Sequence, residues 1–190
     1  METLLSLSIG LGLSAAVGFR IFVPLLVMSL AARTGYLELG SGFDWIASAP
    51  ALIAFALATV LEIGAYYIPF LDNLLDTIAG PAAVLAGILV SASVVTGMDP
   101  FLRWTLAVIA GGGIAGTVQG LTTGARGVST VTTGGIGNPV LSTLELGGSA
   151  ALSLLAIVLP LLALAGVLVL VAMLIALGRR RANRRRAAES

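Results

Sequence analysis

The apolar positions of this chain fall in long, nearly unbroken runs, without the alternation of a half-buried strand or the one-sided stripe of a surface helix. Five runs can be drawn, over residues 3–32, 45–70, 79–98, 104–123 and 139–178. A helix of about 20 apolar residues crosses a hydrocarbon core of about 30 Å, so each run is long enough to span. The polar breaks are short, at residues 33–44, 72–76 and 99–103, and a Gly, Ser and Thr-rich stretch covers 124–138. The pattern predicts an all-α, polytopic transmembrane bundle of about five spans, occupying residues 1–178 as one domain.

The last run is too long for one span, because 40 residues of helix would reach about 60 Å. A short re-entrant helix from residue 139 to about 150, followed by one full crossing, accounts for the excess and keeps five crossings. A hairpin at Pro160 would instead give six. No polar or turn residue accompanies that proline, which favours a kink there.

Composition sharpens this picture. Of the 190 residues, 58% are hydrophobic and 10% charged, against about 25% charged in ordinary soluble domains, and the mean hydropathy is +1.08. Six of the ten basic residues are Arg179, Arg180, Arg181, Arg184, Arg185 and Arg186. They form a cationic tail over residues 179–190, expected on the cytoplasmic side of the membrane, where it meets anionic lipid rather than nucleic acid. With five crossings, Arg33 and Arg103 share that side, while Asp72, Asp76 and the N-terminus face out.

The chain has no cysteine and no histidine. Disulfides, thiolate nucleophiles, thiolate or imidazole metal sites and histidine acid-base chemistry are thereby excluded. No nucleophile motif or cofactor signature is evident, so no enzyme activity, cofactor or metal is expected.

Small residues recur every four positions at Ser6, Gly10, Ser14 and Gly18, and again at Gly112, Gly116, Gly120 and Gly124. Each series is followed two residues later by an arginine, Arg20 and Arg126, so one offset of 106 maps both. The tetrapeptide from Leu37 to Gly40 recurs from Leu144 to Gly147, although Leu61 to Gly64 matches the latter comparably. Small residues at this spacing let membrane helices approach closely, within one chain or between copies in a homo-oligomer. The parity of the runs is also that of an inverted repeat.

Charge at membrane depth is the candidate chemistry. Arg20 lies inside a long apolar run, where an arginine at the helix centre costs about 2.5–3.5 kcal/mol on insertion scales. Glu62 is its expected partner, and Glu145 that of Arg126. These four residues read as structural ion pairs, as a substrate or ion pathway, or as groups snorkelling to an interface. Residues 122–139 carry five glycines and six hydroxyl residues, and read as irregular backbone with Ser129, Thr130, Thr133 and Asn138 as a polar segment. At depth such backbone must be buried in protein or line an aqueous cavity; otherwise it is a surface loop. Asn138 before Pro139 forms a helix start. Asp72 and Asp76, four apart, place two carboxylates on one face of an interfacial helix.

Gly18-Phe19-Arg20 with Pro24, then Glu62, Pro69, Asp72 and Asp76, then the stretch from Arg126 to Thr130 leading to Gly137-Asn138-Pro139, Ser142 and Glu145, together resemble a known family. The chain is similar over about residues 8 to 175 to small bacterial membrane proteins of domain-of-unknown-function family 4126. The resemblance implies a multi-helix membrane fold and no particular reaction. From the buried charge and the Gly/Ser/Thr segment we expect a small transporter or channel-like protein of unknown substrate, with a polar site near the bilayer midplane. The alternative is a non-transporting helical subunit of a larger membrane complex.

Overall fold

A computed structural model describes residues 1–170 and Ala172, with the backbone alone for residues 69–76. Among the described residues the secondary structure is entirely helical. In chain order the helices are α1 (Glu2–Phe19), α2 (Phe22–Arg33), α3 (Ala49–Tyr66), α4 (Pro69–Val94), α5 (Pro100–Leu106), α6 (Gly113–Thr133), α7 (Asn138–Val158) and α8 (Pro160–Leu170). A 3-10 turn (Asp44–Ala47) precedes α3, and a π-helical stretch (Ala107–Gly112) joins α5 to α6. Five helical stretches are long and apolar enough to cross a membrane. The protein is a multi-pass membrane protein.

The first apolar run is not one helix. It breaks at Arg20, whose backbone is extended (φ −148°, ψ 129°). Pro24 supplies the cause: four residues on, it can give no amide hydrogen to the Arg20 carbonyl, and its ring would clash with that carbonyl if the helix continued. The chain then reverses. Near the start of α1, the Ser6 hydroxyl accepts from Thr96 N at 3.4 Å. Beyond the end of α2, Gly40 N donates to Ser93 O at 2.7 Å. Both partners lie at the C-terminal end of α4, so α1 and α2 form a helical hairpin whose two outer ends share one end of the bundle. This corrects the expected topology: the N-terminus lies at the same end as Arg33 and Arg103, not opposite them. Arg33 reaches Ala47 O and Arg103 lies 5.6 Å from the Phe43 ring centre, both at that end.

Helix α1 is the central element, packed on α4, α6 and α7. Its small residues explain how, because membrane helices gain from close backbone approach rather than from hydrophobic drive. A methyl group at Gly12 would lie 2.8 Å from Ala156 Cβ, and one at Gly18 only 2.5 Å from Val118 Cβ. The contact is pinned by polar bonds across it: Ser14 Oγ donates to Gly87 O and Ser149 Oγ to Ala16 O, each at 2.9 Å. The second small-residue series behaves differently. Gly112 and Gly116 approach α4, whereas a methyl group at Gly120 or Gly124 would meet nothing within 4 Å among the described residues.

Three expectations for the last third of the chain are corrected. Residues 122–133 are helical, as the second half of α6, and irregular backbone is confined to residues 134–137. The hydroxyl groups do not disrupt the helix because they bond back along it, as Thr132 does to Val128 O at 2.8 Å and Thr133 to Ser129 O at 2.7 Å. The helix stops where Gly134 and Gly135 take positive φ, 63° and 88°, which favours glycine. In place of a short re-entrant helix, α7 runs unbroken through 21 residues. The break comes at Leu159, the residue before Pro160, where an extended conformation is favoured. Ala156 and Ala163 both face Gly12, and Val167 packs with Ala15. Helix α8 therefore doubles back beside α7: Pro160 marks a turn, not a kink. The arginine tail lies outside the described residues.

Candidate functional site

The break at Arg20 sets the site. An arginine in a continuous apolar helix would face its neighbours at an angle fixed by the helix. At a hairpin tip the side chain points into the bundle, and Arg20 is only 2% exposed. Its Nη2 donates to Ser142 O at 3.0 Å and lies 3.5 Å from Glu145 Oε2. Its Nε and Nη1 are buried without a hydrogen-bond partner among the described residues.

Arg126, on α6, is also buried. Its Nε donates to Glu145 Oε1 at 3.0 Å, its Nη2 donates to Glu145 Oε2, and Nη2 also reaches Ser142 Oγ at 3.1 Å. Glu145 thus serves both arginines. Tyr66, on α3, completes the group: the Arg20 guanidinium carbon stands 3.8 Å from its ring centre and that of Arg126 4.2 Å. Cations over an aromatic face are attracted by its quadrupole, more strongly when desolvated.

Glu62 is brought to the same place in another role. The carboxylate within 4 Å of Arg20 among the described residues belongs to Glu145, not Glu62. Glu62 Oε1 accepts from Ile21 N at 2.8 Å and Oε2 from Phe22 N at 3.1 Å. Breaking the chain at Arg20 frees these amides at the start of α2, and an unpaired backbone donor inside a membrane costs several kcal/mol. Glu62 is a helix cap reaching across from another helix, its negative charge set at the positive end of the α2 dipole.

The structure unites Arg20, Glu62, Arg126 and Glu145, and leaves Ser129, Thr130, Thr133 and Asn138 apart from them. These four build the α6–α7 corner. Thr133 Oγ1 accepts from Gly137 N at 3.0 Å, Asn138 Nδ2 donates to Thr130 Oγ1 at 3.1 Å, and the Ser129 hydroxyl stands close against Gly137. The side chains of Asp72 and Asp76 lie outside the described residues. Among the described residues no cluster of three or more potential ligands could hold a metal.

Tyr66 was not legible as a site residue from sequence, and Ser142 appeared only through the family resemblance. A helical spacing pointed to each: Tyr66 is four residues after Glu62, Ser142 three before Glu145, and such residues share a helix face.

Two openings reach the cluster from the outside. A groove of about 440 Å³ between α3 and α4 extends in to Ile21, Glu62 and Tyr66. A smaller one of about 220 Å³, between α6 and α7, ends at Phe19 and Glu145 and includes Thr122 and Ala125 in its wall. Tyr66 closes the inner end of the larger groove, and Arg20 and Arg126 stand against its ring at the core of the cluster.

The chain belongs to the family described as a domain of unknown function (DUF4126), whose model matches residues 7–180. No curated protein and no solved structure matches it.

Proposed function

We propose that this protein is a small membrane transporter or channel-like protein, not an enzyme, with Arg20, Glu62, Arg126, Glu145 and Tyr66 forming the polar site through which its substrate passes. The observation that carries this reading is the unfilled bonding capacity of Arg20. A purely structural arginine in a dry bundle is stabilised only if its donors are met, since removing a guanidinium from water is costly. Two of the Arg20 nitrogens are left unmet among the described residues, at the tip of a broken helix. Broken helices at membrane depth are tolerated where they line a site, and there they present charge and backbone groups to a substrate. The two openings give the cluster access from two sides.

We place the protein in a bacterial inner membrane. The six arginines of the tail outweigh Arg33 and Arg103, which puts the C-terminus in the cytoplasm and the N-terminus outside. The direction of α8, away from the end that holds Arg33, supports this orientation.

The absence of native cysteine makes the test direct. Single replacements Thr122→Cys and Ala125→Cys, in the wall of the α6–α7 opening, are exposed in membranes to an impermeant thiol reagent from each side. Labelling of at least one supports a water-accessible site beside Glu145. Protection of both from both sides would overturn it.

One observation favours a second reading, that of a non-transporting subunit. A methyl group at Gly120 or Gly124 would meet nothing among the described residues, and both lie on the exposed face of α6, available to a helix of a partner or of a second copy.

A further inference from the structure

The α3–α4 groove differs from an aqueous vestibule in what surrounds its mouth. Leu61 and Ile78, on its rim, are 72% and 57% exposed, and its walls include Ala58, Ala65 and Ala82. All are apolar, and both helices carry membrane-spanning stretches. The mouth therefore opens sideways into lipid.

The inner end has a different character. Glu62 is committed to the backbone there, its two oxygens accepting from Ile21 N and Phe22 N. Behind the Tyr66 ring, 3.8 Å away, stands Arg20 with its Nε and Nη1 buried and unpartnered among the described residues. An apolar slot that opens to the bilayer and ends one aromatic ring away from an unsatisfied guanidinium matches one kind of molecule: an apolar chain bearing an acidic head. Each unmet N–H of a guanidinium can donate a charge-assisted hydrogen bond to a carboxylate or phosphate oxygen.

We propose that the substrate of this site is a membrane amphiphile with an acidic phosphate or carboxylate headgroup. It enters laterally between α3 and α4, lays its chain along the groove, and pairs its head with Arg20 once the Tyr66 ring swings aside. This rests on the transport reading above and supplies its substrate class. Glu62 acts here as a positioning residue, holding the α2 start so that Arg20 faces inward.

The test uses the full chain purified in a neutral detergent, with native mass spectrometry reporting bound lipid. The probes are dioctanoyl phosphatidic acid, dioctanoyl phosphatidylcholine and inorganic phosphate. The wild type is expected to bind the phosphatidic acid at least tenfold more tightly than the phosphatidylcholine, with millimolar phosphate failing to compete. Arg20→Gln removes that preference. Ala58→Trp fills the groove while leaving every charged residue in place, and weakens phosphatidic acid binding at least tenfold. It also keeps the test decisive should Arg20→Gln fail to fold. Equal binding of the two lipids overturns the proposal, as does an unaltered preference in Arg20→Gln or unaltered affinity in Ala58→Trp. Competition by phosphate alone would identify a soluble anion and overturn the lipid assignment. Labelling of Ala125→Cys reports on the transport reading separately, so loss of the lipid preference with labelling intact would remove the substrate class and leave that reading standing.

Discussion

Arg126 grips Glu145 with two parallel hydrogen bonds, Nε to Oε1 and Nη2 to Oε2, from adjacent helices joined by the 134–137 corner. Both side chains are buried, so removing either partner strands a charge in a medium that cannot hydrate it. Breaking such a pair costs about 3–5 kcal/mol. Arg126→Ala and Glu145→Ala should each lower the melting temperature of the detergent-solubilised protein sharply. The double variant should be less destabilised than the sum of the two, because neither charge is then left alone. Additive losses in that cycle would mean that the two residues do not act as a pair.

Glu62 holds the start of α2 through two backbone amides, which ties the hairpin tip to α3. Glu62→Gln keeps the shape and one acceptor oxygen, whereas Glu62→Ala leaves both amides unmet. Each buried donor left unsatisfied costs about 1–3 kcal/mol. Hydrogen exchange of Ile21 and Phe22 should therefore accelerate in the order wild type, Glu62→Gln, Glu62→Ala. Exchange at these amides that ignores the substitutions would remove Glu62 from its capping role.

The two small-residue series should respond in opposite ways to one added methyl group. At Gly18 a Cβ would fall 2.5 Å from Val118 Cβ and 2.7 Å from the backbone oxygen of Ala115. Overpacking of this kind costs about 1–3 kcal/mol, so Gly18→Ala should destabilise. At Gly124 the methyl meets nothing among the described residues, and alanine is favoured over glycine in a helix by about 0.8–1.0 kcal/mol. Gly124→Ala should leave the melting temperature equal or higher. If it instead dissociates an oligomer in a sizing experiment, the open face of α6 is a contact between copies.

The membrane fold was legible from sequence because its cause is local: long apolar runs have no other use for their backbone than helices in lipid. The break at Arg20 was not read from the sequence, although Pro24 four residues on is its cause, because the length of the run pointed to a single span. The helical course of residues 122–133 was hidden by composition. Glycine and threonine are weak helix formers in isolation, while the bonds of Thr132 and Thr133 to their own helix are tertiary-independent compensations that a residue count does not reveal. The convergence of Arg20, Arg126 and Glu145 on Tyr66 depends on how four helices cross, and no spacing along the chain encodes that crossing.

The hairpin makes the sharpest claim on topology. If residues 3–32 formed one span, the two ends of that run would lie on opposite sides of the membrane. With the chain reversing at Arg20, they lie on one side, and the α6–α7 corner lies on the other, since α6 runs from the α5 end to Thr133 in the direction opposite to α4. Tyr36 and Ile136 are 83% and 84% exposed, so a cysteine at either position is reachable without disturbing packing, and Glu2 is exposed at the start of α1. Glu2→Cys and Tyr36→Cys should react with an impermeant thiol reagent from the same face of oriented vesicles, and Ile136→Cys from the opposite face. On the orientation proposed above, that opposite face is the cytoplasmic one. Labelling of Glu2→Cys and Tyr36→Cys from different faces would restore a single first span. It would take with it the hairpin tip on which the placement of Arg20, its cap by Glu62 and the lipid site all depend.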